Sequence, residues 1–554
     1  MGKSRTFAAL VAVGLLAAAC GGGGSAGGSP SSNVVEGGEF RWGTLSPIDS
    51  LNPFVAVQQN SYYTFEYVYP FLVQYDATLR IAPDYATSWS TSSDGTTITF
   101  KTHANTKWSD GTPLTTADAV WTIQTVLKYA KGATASLAGD LTNVTRASAP
   151  SPDTLVVQYA KPTANALEGL QQLPILPQHV WAKYAVGSGA KMKTFPNAAP
   201  IVSGGPFMLK TYERNRVALF VRNPNWWGTK FHIDGFGIEF FSDADAMVLA
   251  LKNHQIDGTE GEPLPPTATS GIKSSGLTFR SAPAFGLRDF IINSNEKKTQ
   301  NRELLNPLVK EAFAHAIDRD EIVKTAWLGA ATAGDSIISP AYGDWHDSAL
   351  HPESFDLSLA NQELDQAGYK MGAGGLRVAN GHPMKYTLLF VTDESGPGTR
   401  AFQIISNDFQ KIGVQLVPKQ VDPATAENTI LGPNNSYQGW DVAMWDWAVL
   451  PADPTFILNA LTCSQLGGWS DTGYCNKTYD NLYQQQSTTL DHAARVKVID
   501  QMQQQIYNDR PYIILTYDDW TEANNPKWEG FVMSPDGSFN ALSIATMLGV
   551  HQVK

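Results

Sequence analysis

Charge is scarce in this chain of 554 residues. Asp, Glu, Lys and Arg make up 17% of it, and 40 basic residues against 52 acidic ones leave a formal charge of −12. No Lys/Arg-rich run occurs, so the basic stripe of a nucleic-acid-binding surface is excluded and no nucleic-acid partner is expected. Cysteine is scarcer still. Three cysteines are too few for a disulfide scaffold and lack the paired CxxC spacing of a zinc site. No apolar run reaches the ~20 residues needed to cross a bilayer, and the best, residues 7–20, falls short. The motifs GxSxG, HExxH and GxxxxGK[ST] are all missing. The 10 histidines are scattered, and the nearest pair, His346 and His351, has no carboxylate arrangement of a metal site. Catalytic residues, metal ligands and a cofactor are therefore not expected.

What is abundant is apolar and aromatic. Hydrophobic residues reach 43%, which excludes disorder for most of the chain, and the length allows two to four domains. Aromatics reach 11%, with 15 Trp, and these must be either buried or used.

The first forty residues have their own logic. Lys3 and Arg5 precede the apolar run 7–19, the layout of a secretory signal. The run ends Leu16-Ala17-Ala18-Ala19-Cys20, which resembles the bacterial lipobox. That resemblance implies a lipoprotein signal peptide at 1–19, cleavage before Cys20, and lipidation of its thiol and new amino terminus. Several acyl chains would hold the protein at a membrane where one alone is marginal. Residues 20–38, rich in Gly and Ser, read as a flexible tether. The literal GxGxxG there, Gly22-Gly23-Gly24-Ser25-Ala26-Gly27, has no strand before it and no helix after it, so a dinucleotide site is excluded. The other two cysteines, Cys463 and Cys475, lie 12 apart, and in an exported protein such a pair is expected to form a disulfide. A catalytic thiol would need a histidine nearby in space, of which the sequence gives no sign.

From Phe40 onward strands and helices alternate. Thr96-Thr97-Ile98-Thr99-Phe100 has the period-two pattern of a half-buried strand. Thr116 reads as the N-cap of a helix whose Val120, Ile123, Val126 and Leu127 share a face. Asn306-Pro307 opens another helix with proline at its first position. Residues 399–412 read as a helix stopped by Gly413 and followed by the strand Val414-Gln415-Leu416-Val417. Residues 479–508 read as one long Gln-rich helical region, and Asp243 and Asp245 as a strand end entering a helix. The mixture is an α/β protein.

Eight blocks carry a family resemblance, in order along the chain. They include Leu51-Asn52-Pro53 and Trp108-Ser109-Asp110-Gly111-Thr112-Pro113-Leu114-Thr115-Thr116-Ala117-Asp118-Ala119-Val120. Further on come Ser203-Gly204-Gly205-Pro206-Phe207, Arg222-Asn223-Pro224-Asn225-Trp226-Trp227 and Ala316-Ile317-Asp318-Arg319. Ala367-Gly368-Tyr369, Asp453-Pro454 and Tyr474-Cys475-Asn476-Lys477-Thr478-Tyr479-Asp480 complete the series. Together they resemble family 5 of the extracellular solute-binding proteins, the peptide and nickel receptors of ABC importers.

The resemblance implies an α/β, two-lobed periplasmic-binding-protein-like fold (type II, cluster C) with an extra subdomain in lobe I. Lobe I is then expected from 36–73, 196–285 and 510–554, the inserted subdomain at 74–195 and lobe II at 286–509, with crossings near 285 and 510. It also implies a monomeric receptor that closes on a small ligand, first of all a short peptide held by β-augmentation, and delivers it to an ABC permease. Oligosaccharide, nickel chelate and haem are the alternatives within the class; an extracytoplasmic hydrolase or a signalling receptor are those outside it. The expected location is the extracytoplasmic face of the membrane. Gln59, Tyr62 and Tyr63 align with the lobe I stretch that lines the cleft in relatives. In lobe II the candidates are Trp445, Asp446, Trp447 and Asp453. Asp446 follows a Trp and precedes the Asp-Pro step, the setting in which peptide-binding relatives pair the ligand's α-ammonium. On a regular strand, however, Trp445 and Trp447 share one face and Asp446 takes the other. A bulge or loop is expected to reconcile them.

Overall fold

The computed structural model describes residues 34–56, 58–76, 79–259, 264, 266–391, 396–447, 452–532 and 544–554. The signal segment, the lipidation candidate Cys20 and the tether as far as residue 33 lie outside the described residues. The expected tether ends early: Val34–Val35 already pairs antiparallel with the strand His551–Val553.

Twelve strands form one continuous sheet. In chain order they are β1 (Glu39–Thr44), β2 (Phe207–Glu213), β3 (Val217–Arg222), β4 (Gly235–Phe240), β5 (Gly258–Thr259) and β6 (Thr278–Pro283). The rest are β7 (Leu287–Ile292), β8 (Ala331–Ala333), β9 (Lys385–Val391), β10 (Gln415–Val421), β11 (Val442–Trp447) and β12 (Tyr512–Asn524). Their order is β10-β9-β11-β7-β12-β5-β1-β4-β3-β2, with β6 and β8 also paired to β12. β12, 13 residues long, belongs to both halves. Its first part pairs with β7 and its last with β6 and β5. Because β6 and β7 are consecutive and both antiparallel to β12, the chain crosses between the halves only along two neighbouring segments, near 284–287 and 516–519. The return crossing therefore comes later than the expected 510. Ile513 and Leu515 still pack in the core of the second half, whereas Ala523 packs in the first.

Period-two patterning explains how one sheet serves two cores. In β7, Phe290 and Ile292 enter one buried cluster with Phe313, Tyr386 and Phe409, while Leu287 and Ile291 enter another with Tyr437, Trp440 and Tyr479. Helices thus cover both faces of the second half, as buried parallel strands require. In the first half, Phe40, Trp42, Phe207 and Phe236 join one cluster with the subdomain residues Phe100, Leu155 and Trp181. That subdomain has its own four-stranded antiparallel sheet: Ala86–Thr91, Thr97–Thr102, Thr154–Tyr159 and Val144–Ser151, in that order.

Local signals mostly hold. Helix α1 spans Gln59–Val68 and α2 spans Thr116–Lys128. The cap of α2 is Thr115, one residue before the expected Thr116, because Asp118 at the third helical position closes a capping box with it. Asn306 caps the Pro307–His315 helix, and Asp243 caps Ala244–Lys252 through the Ala246 amide. The Gln-rich region is two helices, Lys477–Thr488 and His492–Asp509. The break follows from Asp491, whose side chain caps the second helix through the Ala494 amide. Cys463 and Cys475 are bonded, with Cα atoms 4.5 Å apart. In the chain-entropy model a loop this short is stabilised by roughly 3 kcal/mol.

At the crossing sits Arg288. Its Nη1 lies 3.0 Å from Asp446 Oδ2 on β11 and its Nε 2.8 Å from Asp518 Oδ2 on β12, so one guanidinium ties three strands together. All three side chains are at most 22% exposed. Truncating a buried cation costs more than the pair is worth, because it strands the carboxylates. R288A is expected to destabilise the protein by about 3 kcal/mol in urea unfolding; a change within about 0.5 kcal/mol, typical of surface positions, would contradict the clamp.

Candidate ligand-binding cleft

Strand direction places the cleft. β1, β4 and β5 are mutually parallel and run antiparallel to β12, so their carboxyl ends, at Thr44, Phe240 and Thr259, point toward the crossing. β11 and β9 are parallel to each other, as are β9 and β10, and β11 runs parallel to β12 because both are antiparallel to β7. Their carboxyl ends, at Val391, Val421 and Trp447, therefore face the crossing from the other side. Open α/β sheets bind ligands outside the carboxyl ends of their strands. Here two such edges confront each other.

On the first-half side, α1 is pinned to the end of β1. Asn60 Nδ2 donates to Thr44 Oγ1 at 3.1 Å and to the Ser46 carbonyl at 2.8 Å, and Ser61 Oγ donates to Asp49 at 2.7 Å. This sets the first turn of α1 at the cleft edge. Within it the Gln59 amide donates to the Tyr63 hydroxyl, and the Tyr62 hydroxyl donates to the Ala56 carbonyl at 3.2 Å. Both rings are half-buried against the first core. Burial, with Asp140 and then Asp49 nearby, raises the Tyr62 hydroxyl above its ordinary value.

On the second-half side, β11 stays regular to Trp447. Trp445 faces Asp289, Asp446 faces Arg288 and Trp447 faces Leu287, with no register shift. The expected bulge is not there. The two tryptophans share a face, and Asp446 resolves the conflict by turning to the other face and pairing with Arg288. Its carboxylate is committed to the strand crossing. Trp445 packs on Val391, Val421 and Ala426 beside the ends of β9 and β10. Trp447 meets Phe456 edge-on at 6.0 Å, and Phe456 meets Trp469 at 5.1 Å. Trp440, by contrast, is core: 1% exposed, with Nε1 donating to the Ile430 carbonyl at 2.9 Å.

Asp453 is likewise engaged. Arg495 grips it with Nη1 at 2.7 Å and Nη2 at 3.0 Å, while its Oδ1 accepts from the Thr455 amide at 2.9 Å. Burial alone would raise this carboxyl, but the charge and hydrogen bonds of Arg495 outweigh it and hold it below the usual range. The pair fixes the entry to the Thr455–Ala460 helix. At the outer side the subdomain touches the second half: the Ala164 amide donates to the Ser487 carbonyl at 2.9 Å. The halves thus meet at the crossing and again beyond the cleft. Among the described residues, no three His, Cys, Asp or Glu side chains gather as metal ligands, and no helix is long and apolar enough to cross a membrane.

Sequence reasoning missed Arg288. The adjacent pair Arg288-Asp289 inside an otherwise apolar strand was the available signal, since charges are buried only with partners.

This architecture is that of two-lobed binding proteins, and comparison makes the assignment specific. The model for bacterial extracellular solute-binding proteins, family 5 Middle, matches residues 80–468, and the chain belongs to this family. Protein XP55 of Streptomyces lividans is 28% identical over 514 residues, covering 91% of this chain and 88% of XP55. The periplasmic binding protein DppA of Helicobacter pylori, solved with the peptide STSA, superposes with a TM-score of 0.75 at 21% identity, over 94% of this chain and 99% of DppA. NikZ of Campylobacter jejuni, solved with Ni(L-His), gives a TM-score of 0.78 at 18% identity, over 93% and 99%.

One carboxyl pair near the cleft sets a pH response. Glu66 lies on α1 one turn beyond Tyr62 and Tyr63, and burial, then the charge of Asp84, pushes its carboxyl up to about 8. Burial pushes Asp84 up to about 7, against a 2.9 Å hydrogen bond from the Phe71 amide. Carboxyls raised on folding contribute fully below their ordinary values of 4.5 and 3.8, and that contribution is lost as pH rises toward 8. E66Q is expected to raise the melting temperature relative to the parent by a clearly larger margin at pH 8.5 than at pH 5. Parallel profiles across that range would contradict the assignment.

Proposed function

We propose that this chain is the substrate-binding receptor of an ABC-type importer, held by a lipidated Cys20 at the extracytoplasmic face of the membrane. It works as a monomer, captures a short peptide between two closing lobes and presents it to the permease. Lobe I comprises 36–73, 196–285 and the chain from about 517 to 554, the subdomain 74–195, and lobe II 286 to about 516, with β12 shared across the last boundary. The observation that carries the reading is the confrontation of two carboxyl-end edges across a junction crossed by only two segments. Such a junction lets ligand contacts on both edges shift the lobes from open to closed.

Peptide is favoured by the cleft's chemistry. Gln59, Tyr62 and Tyr63 offer amide and phenol groups suited to a peptide backbone, and Trp445 and Trp447 supply apolar walls for side chains. Asp446 and Asp453 act as supports, through Arg288 and Arg495, rather than as ligand anchors. The peptide complex of DppA supports this reading; the Ni(L-His) complex of NikZ is the pattern for the alternative. Native mass spectrometry of the protein purified without denaturation is expected to reveal a ladder of bound peptide masses. Nickel-chelate or sugar masses would overturn the peptide assignment.

A further inference from the structure

The chain passes between the halves only at the joint, yet the subdomain also touches the second half far from it. The contact is built on a helix end. The last carbonyls of Lys477–Thr488 have no amide within the helix to accept from. Thr489 takes two of them, its hydroxyl donating to the Gln485 carbonyl at 2.7 Å and its amide to the Gln486 carbonyl at 3.3 Å. The Ser487 carbonyl instead accepts from the Ala164 amide of the subdomain at 2.9 Å. Just beyond it, Leu490 lies against the subdomain turn Asp94-Gly95. A Cβ on Gly95 would come 2.7 Å from Leu490 Cδ1 and 3.3 Å from Pro162 Cβ, so the three meet with no room for a further side chain.

Each side presents a fixed surface. On the subdomain, the Gly95 amide closes its turn on the Ser92 carbonyl at 2.9 Å, with Gly95 at φ +68°. The loop that carries Pro162 and Ala164 is tied to Asn143, whose carbonyl accepts from the Ala160 amide at 2.8 Å and whose Nδ2 donates to Thr163 Oγ1 at 3.0 Å. On the second half, Gln486 precedes Ser487, and its Oε1 accepts from Arg495 Nε at 3.0 Å. Arg495 also grips Asp453, at the entry to the helix that carries Phe456, so the contact is keyed to the cleft wall. The contact itself is slight: one neutral hydrogen bond and a leucine that stays 54% exposed. Water replaces such a bond at little net cost, so the two surfaces part and meet again without unfolding either one.

We propose that this contact is a latch: Gly95, Pro162 and Ala164 engage Ser487 and Leu490 when the lobes close and release them when the lobes open. Ligand contacts drive closure, and the latch adds a bias toward the closed state that is the same for every ligand. It therefore sets the share of closed receptor and the apparent affinity for whatever the cleft holds. The inference rests on the reading of two closing lobes and not on the ligand being a peptide.

Pulsed electron–electron resonance between spin labels on S93C and Q485C tests it, both positions being exposed and flanking the contact. C20S removes the native cysteine outside the Cys463–Cys475 bond. The probe is the material released when the purified protein is unfolded, added back to refolded, stripped receptor. In the parent it should shorten and narrow the distance between the labels. L490S removes the leucine from an exposed position, and G95N keeps a residue tolerant of positive φ while setting a Cβ against Leu490. Each should lengthen the distance in stripped receptor and weaken the affinity for the probe by about 3- to 10-fold, the size of one lost neutral contact. In the double variant G95N should add less than it does alone, because the clash it creates needs Leu490. A distance in the parent that the probe leaves unchanged makes the contact a permanent one and overturns the latch, as do variants whose distances and affinities match the parent's. Released material that contains no peptide overturns the peptide reading alone, while the distances still decide the latch.

Discussion

A single strand, Tyr512–Asn524, is hydrogen-bonded into both halves of the molecule, and every other feature of the fold follows from that sharing. Because β6 and β7 run back along it, the two chain crossings lie side by side and form one joint. Because β12 sets the direction of its neighbours, the parallel strands of both halves must point their carboxyl ends at that joint. The cleft is thus a consequence of strand polarity, set by the carboxyl ends of β1, β4, β9, β10 and β11. A hinge and a binding site created by the same strand are coupled without any further device.

Charge reinforces the joint. Arg288 lies on the central neighbour of β12 and reaches one carboxylate on each side. Such an arrangement is a weak source of net stability, since desolvating the ions offsets much of their attraction. Its value is positional: an in-register Arg288–Asp446 pair keeps β11 regular to its last residue and so sets both tryptophans on one face. Arg495 does the equivalent for Asp453 at the start of the Thr455–Ala460 helix. Both pairs thus brace the elements that carry Trp445, Trp447 and the Thr455–Ala460 helix.

Much of this was legible in the sequence where the determining signal is local. Pro307 after Asn306, Gly413 after a periodic helix and the alternation through Phe100 each depend on neighbours a few residues away, and each element is found there. The close spacing of Cys463 and Cys475 was enough to foresee their bond. Local reasoning slipped by one residue at Thr115, where Asp118 decides the cap, and merged two helices whose break is marked by Asp491. It failed for the cleft's charges because their partners are remote: Arg288 meets a residue 230 positions away, and Asp453 one 42 away. Asp446 after a tryptophan looks like a ligand anchor in one dimension; only the register with β7 reveals that its charge is spent inside the sheet.

The central claim is that the two halves close on a ligand about the joint at 284–287 and 516–519. Small-angle X-ray scattering tests it most directly, on protein stripped of ligand and then supplied with the peptide recovered from it. The account predicts a smaller radius of gyration with the peptide than without it. An unchanged radius, with a peptide that raises the melting temperature, would contradict it.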